Sequence, residues 1–108
     1  MRAAFCATIN MDAAEIAAWL ETSESRSVGF VRPGETESVG RIAGRRIAAI
    51  LAMSEEQLGD EDYRLMRKAA GFVRRHTARP PANRVTSRWR YALMNWGHDP
   101  LRSGDWGI

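Results

Sequence analysis

Hydrophobic positions recur with a helical period along most of the chain. Segment 12–22 places Ile16 and Leu20 on one face, and its first residues, Asp12 and Glu15, have the spacing of a capping box. The pattern therefore predicts a helix that begins at Asp12.

Segment 38–53 combines small residues at its start with aliphatic residues at its end. Gly40 and Gly44 cost helix stability, about 1 kcal/mol each relative to alanine, so they indicate close packing against a neighbouring element. The other side of this predicted helix carries three arginines, which favour either a solvated face or an addition to a basic surface: Arg41, Arg45 and Arg46.

A longer helix is predicted from Asp60 to the residues before Pro80, because acidic residues fill its first turn and arginines its last. A possible capping box from Ser54 to Gln57 precedes it. Its expected buried face consists of Leu65, Met66, Ala69, Phe72, Val73 and His76.

A fourth, short helix is predicted to start at Thr86 and to stop at Gly97. The loop 23–37 is rich in Ser, Gly and Glu and is expected to be partly mobile. Since no segment has a convincing strand pattern, the chain 1–108 is predicted to be a single all-α domain, a bundle of about four helices around a long basic helix.

Charge is distributed unevenly along the chain. Residues 1–62 contain 6 Arg against 11 acidic residues, whereas residues 63–98 contain 8 Arg and one Lys with no acidic residue. This asymmetry indicates a polyanionic or acidic partner, unless the acidic half neutralises the basic half within the folded molecule.

The cations of the long helix fall on one side of it and form a stripe opposite the apolar face, which is typical either of a solvated face or of a track for phosphates. Pairing with Asp60 and Glu61 accounts for Arg64 only in part. The stripe consists of Arg64, Arg67, Lys68, Arg74 and Arg75, with Arg79 after them.

A second basic segment mixes arginines with aromatic rings, a composition typical of nucleic-acid surfaces. Its cations are Arg84, Arg88 and Arg90. Trp89 and Trp96 have helical spacing, which favours packing in the core over stacking on bases.

Candidate chemistry is sparse. A single cysteine, Cys6, excludes an intramolecular disulfide and is expected to be buried. His98 and Asp99 could form an acid/base pair, although a turn of this composition is more often structural. His76 and His98 alone cannot form a zinc site, so no metal, cofactor or catalytic residue is predicted.

Neither a signal peptide nor a membrane span is recognisable, and a cytoplasmic location is expected.

Four segments carry a resemblance to a known family: "NMDAAEIAAWLETSESRSVG", "GRRIAAIL", "DYRLMRKAAGFVRRHTARP" and "TSRWRYALMNWGHDPLR". In this order they resemble domain-of-unknown-function family 3140, small bacterial and fungal proteins often labelled DNA-binding proteins. This chain has Asp12-Ala13 where the family usually has Thr-Pro, and Arg41 near a frequent histidine. The resemblance implies a small helical domain and DNA binding.

These observations favour a non-enzymatic module that binds nucleic acid, double-stranded DNA in the first place, mainly through the phosphate backbone and with weak sequence selectivity. The alternative is an interaction or self-association domain, including a homodimer, in which the basic helix docks on an acidic surface.

Overall fold

The computed structural model describes residues 2–103, with side chains for residues 5–102. This part of the chain is helical and contains no β-strand, which confirms the all-α prediction. Two 3-10 turns, Glu55–Gln57 and Pro100–Ser103, accompany six α-helices: α1 Arg2–Thr8, α2 Ala13–Leu20, α3 Ser23–Arg26, α4 Val39–Leu51, α5 Asp60–Thr77 and α6 Arg88–Asn95.

The capping box at the start of α2 is confirmed. Asp12 Oδ1 accepts a hydrogen bond from Glu15 N at 2.8 Å, and Glu15 Oε1 accepts one from Asp12 N at 2.9 Å. Ile16 and Leu20 are buried as expected, and α2 packs mainly against α4. The helix ends at Leu20, two residues earlier than predicted.

Helix α3 lies inside the segment predicted to be a loop. Thr22 caps it, since its side-chain oxygen accepts a hydrogen bond from Ser25 N at 3.1 Å. The prediction of a loop for the whole of 23–37 was therefore wrong for residues 23–26, which place Ser25 in the interior.

Helix α1 was not predicted, and it covers the inner face of α5. Phe5 and Ile9 point into the core, with 1% and 8% of their surface exposed. Cys6 lies on the other side of this helix and is exposed, so the expectation that it is buried was wrong.

Close packing of the α4 glycines is confirmed. An added Cβ on Gly44 would lie 2.3 Å from Asn95 O, and one on Gly40 would lie 3.0 Å from Trp96 Nε1. The C-terminal end of α6 therefore rests directly on the backbone of α4.

The prediction of an exposed Arg41 was wrong, because this side chain is 5% exposed. Its guanidinium pairs with Glu37 (Nη2–Oε2, 2.9 Å) and donates to Leu20 O at 2.5 Å and to Ser25 Oγ at 2.8 Å. Ser25 Oγ in turn donates to Asn95 Oδ1 at 2.5 Å. These contacts form a buried polar network that links α2, α3, α4 and α6.

Helix α5 has the predicted inner face. Leu65, Met66, Ala69 and Val73 are buried, and Phe72 and His76 are half-buried. The 3-10 turn before it has the expected contact, from Ser54 N to Gln57 Oε1 at 2.8 Å.

Helix α6 is capped by Ser87 and not by Thr86, since the Ser87 hydroxyl accepts a hydrogen bond from Arg90 N at 3.2 Å. Gly97 ends it in the left-handed region, with φ +85°. Trp96 is 5% exposed and belongs to the core, as predicted. No helix in the described part of the chain is long and apolar enough to cross a membrane.

Candidate nucleic-acid interface

The outer face of α5 displays the predicted basic stripe. All five stripe cations are exposed, as is Arg79 just beyond the helix: Arg64, Arg67, Lys68, Arg74, Arg75 and Arg79. Three acidic residues lie in the first turn of α5: Asp60, Glu61 and Asp62. Their negative charges at the positive end of the helix dipole stabilise the helix.

None of these six cations forms an ion pair with a carboxylate of the described residues. The expected pairing of Arg64 with Asp60 or Glu61 does not form, and Asp62 instead approaches Arg46 of α4 at 3.7 Å. Within the described part of the molecule, the acidic half of the chain therefore makes no direct ion pair with the basic stripe, although Glu61 lies in the same surface depression as Arg64 and Lys68.

Cations from outside α5 extend this surface. Arg46 lines one surface depression together with Arg64 and Lys68, and Arg32 and Arg46 line a neighbouring one that also includes Lys68. Sequence reasoning considered Arg46 but missed Arg32, because only the path of the loop before α4 brings it to this position.

Arginines of the second basic segment have different environments. Arg90 forms a bidentate hydrogen-bonded ion pair with Asp99 (Nε–Oδ1 3.2 Å, Nη2–Oδ2 3.1 Å) and donates to Val85 O at 2.8 Å. Its guanidinium therefore has a structural role. Arg88 is exposed but donates to Ser27 O at 2.9 Å.

Arg84 is half-buried, and its Nε has no hydrogen-bond partner among the described residues. A bond from Trp89 Nε1 to His76 O, 2.7 Å, places the first turn of α6 beside the last turn of α5.

His98 and Asp99 do not hydrogen-bond to each other. His98 Nδ1 lies 2.6 Å from Thr8 O. Because a carbonyl oxygen can only accept, this nitrogen carries the hydrogen and donates a hydrogen bond to it. The carboxylate of Asp99 accepts from Arg90, and its backbone N donates to Asn10 Oδ1 at 2.7 Å. Burial lowers the pKa of His98, although Thr8 and Asp99 oppose this effect.

Together with hydrogen bonds from Asn10 N and Met11 N to Gly97 O, these contacts form a clamp between residues 8–11 and 97–99. The geometry shows what His98 and Asp99 contact: they hold the turn after α6 against the end of α1.

Within residues 2–103, no group of three or more His, Cys, Asp or Glu side chains is placed to hold a metal ion. An apolar cavity with aromatic walls lies beside Lys68, and sequence reasoning did not identify it. The local sequence signal for this cavity is the i, i+4 spacing of Phe72 and His76, and this spacing is equally typical of a helix face packed in a hydrophobic core.

No curated protein and no solved structure matches the chain. The family described as "Protein of unknown function (DUF3140)" matches residues 4–94. This match covers all helices from α2 to α5, most of α1 and nearly all of α6. The chain therefore belongs to the DUF3140 family of proteins of unknown function.

Proposed function

We propose that this protein is a non-enzymatic nucleic-acid-binding module whose α5 stripe contacts the phosphate backbone of duplex DNA. The observation that carries the proposal is the set of six exposed cations without a carboxylate partner among the described residues. Exposed cations that are not neutralised internally attract polyanions and release condensed counterions on binding.

The dimensions of the stripe are compatible with this target. Arg64 and Arg75 lie about 16 Å apart along the helix at 1.5 Å per residue. Duplex DNA carries one phosphate charge per roughly 1.7 Å of axis, so several phosphates are within reach of the stripe. Arginine and lysine bind phosphates without reading bases, which is why weak sequence selectivity is expected.

Self-association is less well supported. Gly40 and Gly44, which could have offered a surface for a second copy, pack against Trp96 and Asn95 within the molecule. Of the two observations that suggested self-association, this leaves only the opposite charges of the acidic and basic halves of the chain.

The proposal is tested by titrating a fluorescent random-sequence duplex with the purified, nuclease-treated protein at several salt concentrations. We expect log affinity to fall linearly with log salt, with a slope corresponding to about three to five released counterions. Absence of binding at low salt would refute the proposal.

A matched pair of variants distinguishes binding through the stripe from binding that depends only on the net charge of the protein. Arg67→Gln with Arg74→Gln removes two stripe cations, and we expect the salt slope to fall by about one per lost phosphate contact. Arg26→Gln with Arg45→Gln removes the same charge from exposed arginines that pair with Glu21 and Glu37, and should leave the slope unchanged. Equal losses in both variants would mean that binding follows net charge and not the stripe.

A further inference from the structure

A cavity of about 530 Å³ lies between α4, α5, α6 and the loop before α4. This volume is within the usual range of small-molecule sites, about 300–1,000 Å³. Its walls are mainly apolar and aromatic and include Phe30, Val39, Phe72, Ala92 and Trp96.

The aromatic rings form a continuous surface. The Phe72 ring stacks on Trp96 with centroids 4.8 Å apart, and on His76 with centroids 3.8 Å apart. Phe30 lies at the edge of the cavity with 68% of its surface exposed, the largest exposure among the large hydrophobic side chains of the described residues. A phenylalanine in water beside an aromatic wall is suited to closing over a flat apolar ligand.

The polar groups of the cavity are mostly hydrogen-bond donors. Lys68 is exposed at the rim and has no carboxylate partner among the described residues. Arg32, also at the rim, approaches Glu35 only at 3.6 Å, in an exposed and therefore weak pair.

Trp96 also lines the cavity, and its indole N–H, which lies beside Gly40 of the same lining, donates no hydrogen bond to any residue in 5–102. The side-chain oxygen of Asn95 is not available as an acceptor for a ligand, because it already accepts hydrogen bonds from Trp19 Nε1 and Ser25 Oγ. The Asn95 Nδ2 donates to Ser25 O. Acidic side chains do not line the cavity. This combination of cations and an unused donor around apolar walls is complementary to an apolar molecule with one negative group.

We propose that the cavity binds a small aromatic carboxylate, with its ring against Phe30, Phe72 and Trp96 and its carboxylate toward Lys68. This site shares Lys68 with the stripe, but the argument for it does not rest on the proposed nucleic-acid function.

The test is calorimetric titration of the full chain, without nucleic acid, with naphthoate and with its neutral isostere naphthamide. Because the cavity supplies a cation and donors, we expect naphthoate to bind about 10-fold more tightly, equivalent to about 1.4 kcal/mol. Lys68→Met should remove this preference and leave naphthamide binding unchanged.

Two further variants serve as controls. Ala92→Phe fills the cavity and should abolish binding of both compounds, with circular dichroism showing that the helices remain. Arg67→Met removes a neighbouring exposed cation that does not line the cavity, and should leave both affinities unchanged.

Equal affinity of the wild type for the two compounds, a preference for naphthoate that survives Lys68→Met, or binding of either compound that survives Ala92→Phe would overturn the proposal. So would binding of neither compound. A concentration-dependent dimer that Phe30→Ser abolishes would then assign the cavity to a second copy of the chain. Because no nucleic acid is present, these outcomes do not depend on whether the stripe binds DNA.

Discussion

The guanidinium of Arg41 gathers groups from distant parts of the chain. Leu20 O and Ser25 Oγ accept hydrogen bonds from it, and Glu37 pairs with it from the turn before α4. The pKa of the Glu37 carboxyl lies below its ordinary value, chiefly because Arg45 donates to it and also because Arg41 does. Arg41 thus acts as a structural residue although its neighbours Arg45 and Arg46 are exposed.

Arg41→Met should therefore destabilise the fold, since it removes the guanidinium donor of Leu20 O and Ser25 Oγ and leaves the partly buried carboxylate of Glu37 with Arg45 alone. We expect a loss of about 3 kcal/mol in the free energy of unfolding, measured by urea denaturation. Arg46→Met, which removes an exposed pair at 3.7 Å, should cost less than about 1 kcal/mol. Similar losses for both variants would contradict a special role for Arg41.

At the scale of the elements, helices with strong local signals were predictable. The capping box of α2 and the long amphipathic pattern of α5 lie within the sequence of each helix. Helices α1 and α3 have 7 and 4 residues, too few to be stable alone, where about 12 are needed. They depend on tertiary contacts, such as Phe5 and Ile9 in the core, and local sequence does not encode those contacts.

The candidate interface was predictable to the same extent. The stripe follows from the period of a single helix, so its cations could be named in advance. The burial of Arg41, the position of Arg32 and the aromatic cavity depend on how separate elements meet. Ser25 and Asn95, for example, are 70 residues apart in sequence and share two hydrogen bonds.

Two glycines test the packing of helices α4 and α5. Gly44→Ala puts a methyl group against the α6 backbone, 2.3 Å from Asn95 O, and should destabilise the protein by about 2 kcal/mol in spite of better helix propensity. Gly71→Ala meets only the movable end of Arg75, at 3.0 Å, and should be neutral or stabilise by up to about 1 kcal/mol. Thermal unfolding of both variants distinguishes these cases, and a stable Gly44→Ala would refute the close contact.

At the scale of the whole molecule, the clamp joins the end of α1 to the turn after α6. It includes His98, whose Nε2 is buried without a hydrogen-bond partner among the described residues. Protonation of this nitrogen would place a charged donor where no described acceptor is available.

The clamp should therefore weaken in acid. Since the pKa of His98 is lower in the folded protein, the unfolded chain binds more protons in this range, and stability falls as pH drops below about 6.5 toward the folded value. His98→Asn keeps a donor for Thr8 O but does not titrate. Urea denaturation between about pH 5 and pH 7.5 should show a steeper loss for the wild type than for the variant. Parallel curves would exclude His98 as the source.

The clamp also has a consequence during protein synthesis. Thr8 and His98 are 90 residues apart, so the end of α1 cannot form the clamp until residue 98 has been translated, although its partner helix α5 is made earlier. At ribosomal rates of about 5–20 residues per second, this interval lasts about 5–20 s. During that time the apolar residues at the end of α1 lack the clamp, so a nascent chain cannot complete this contact before residues 97–99 have been made.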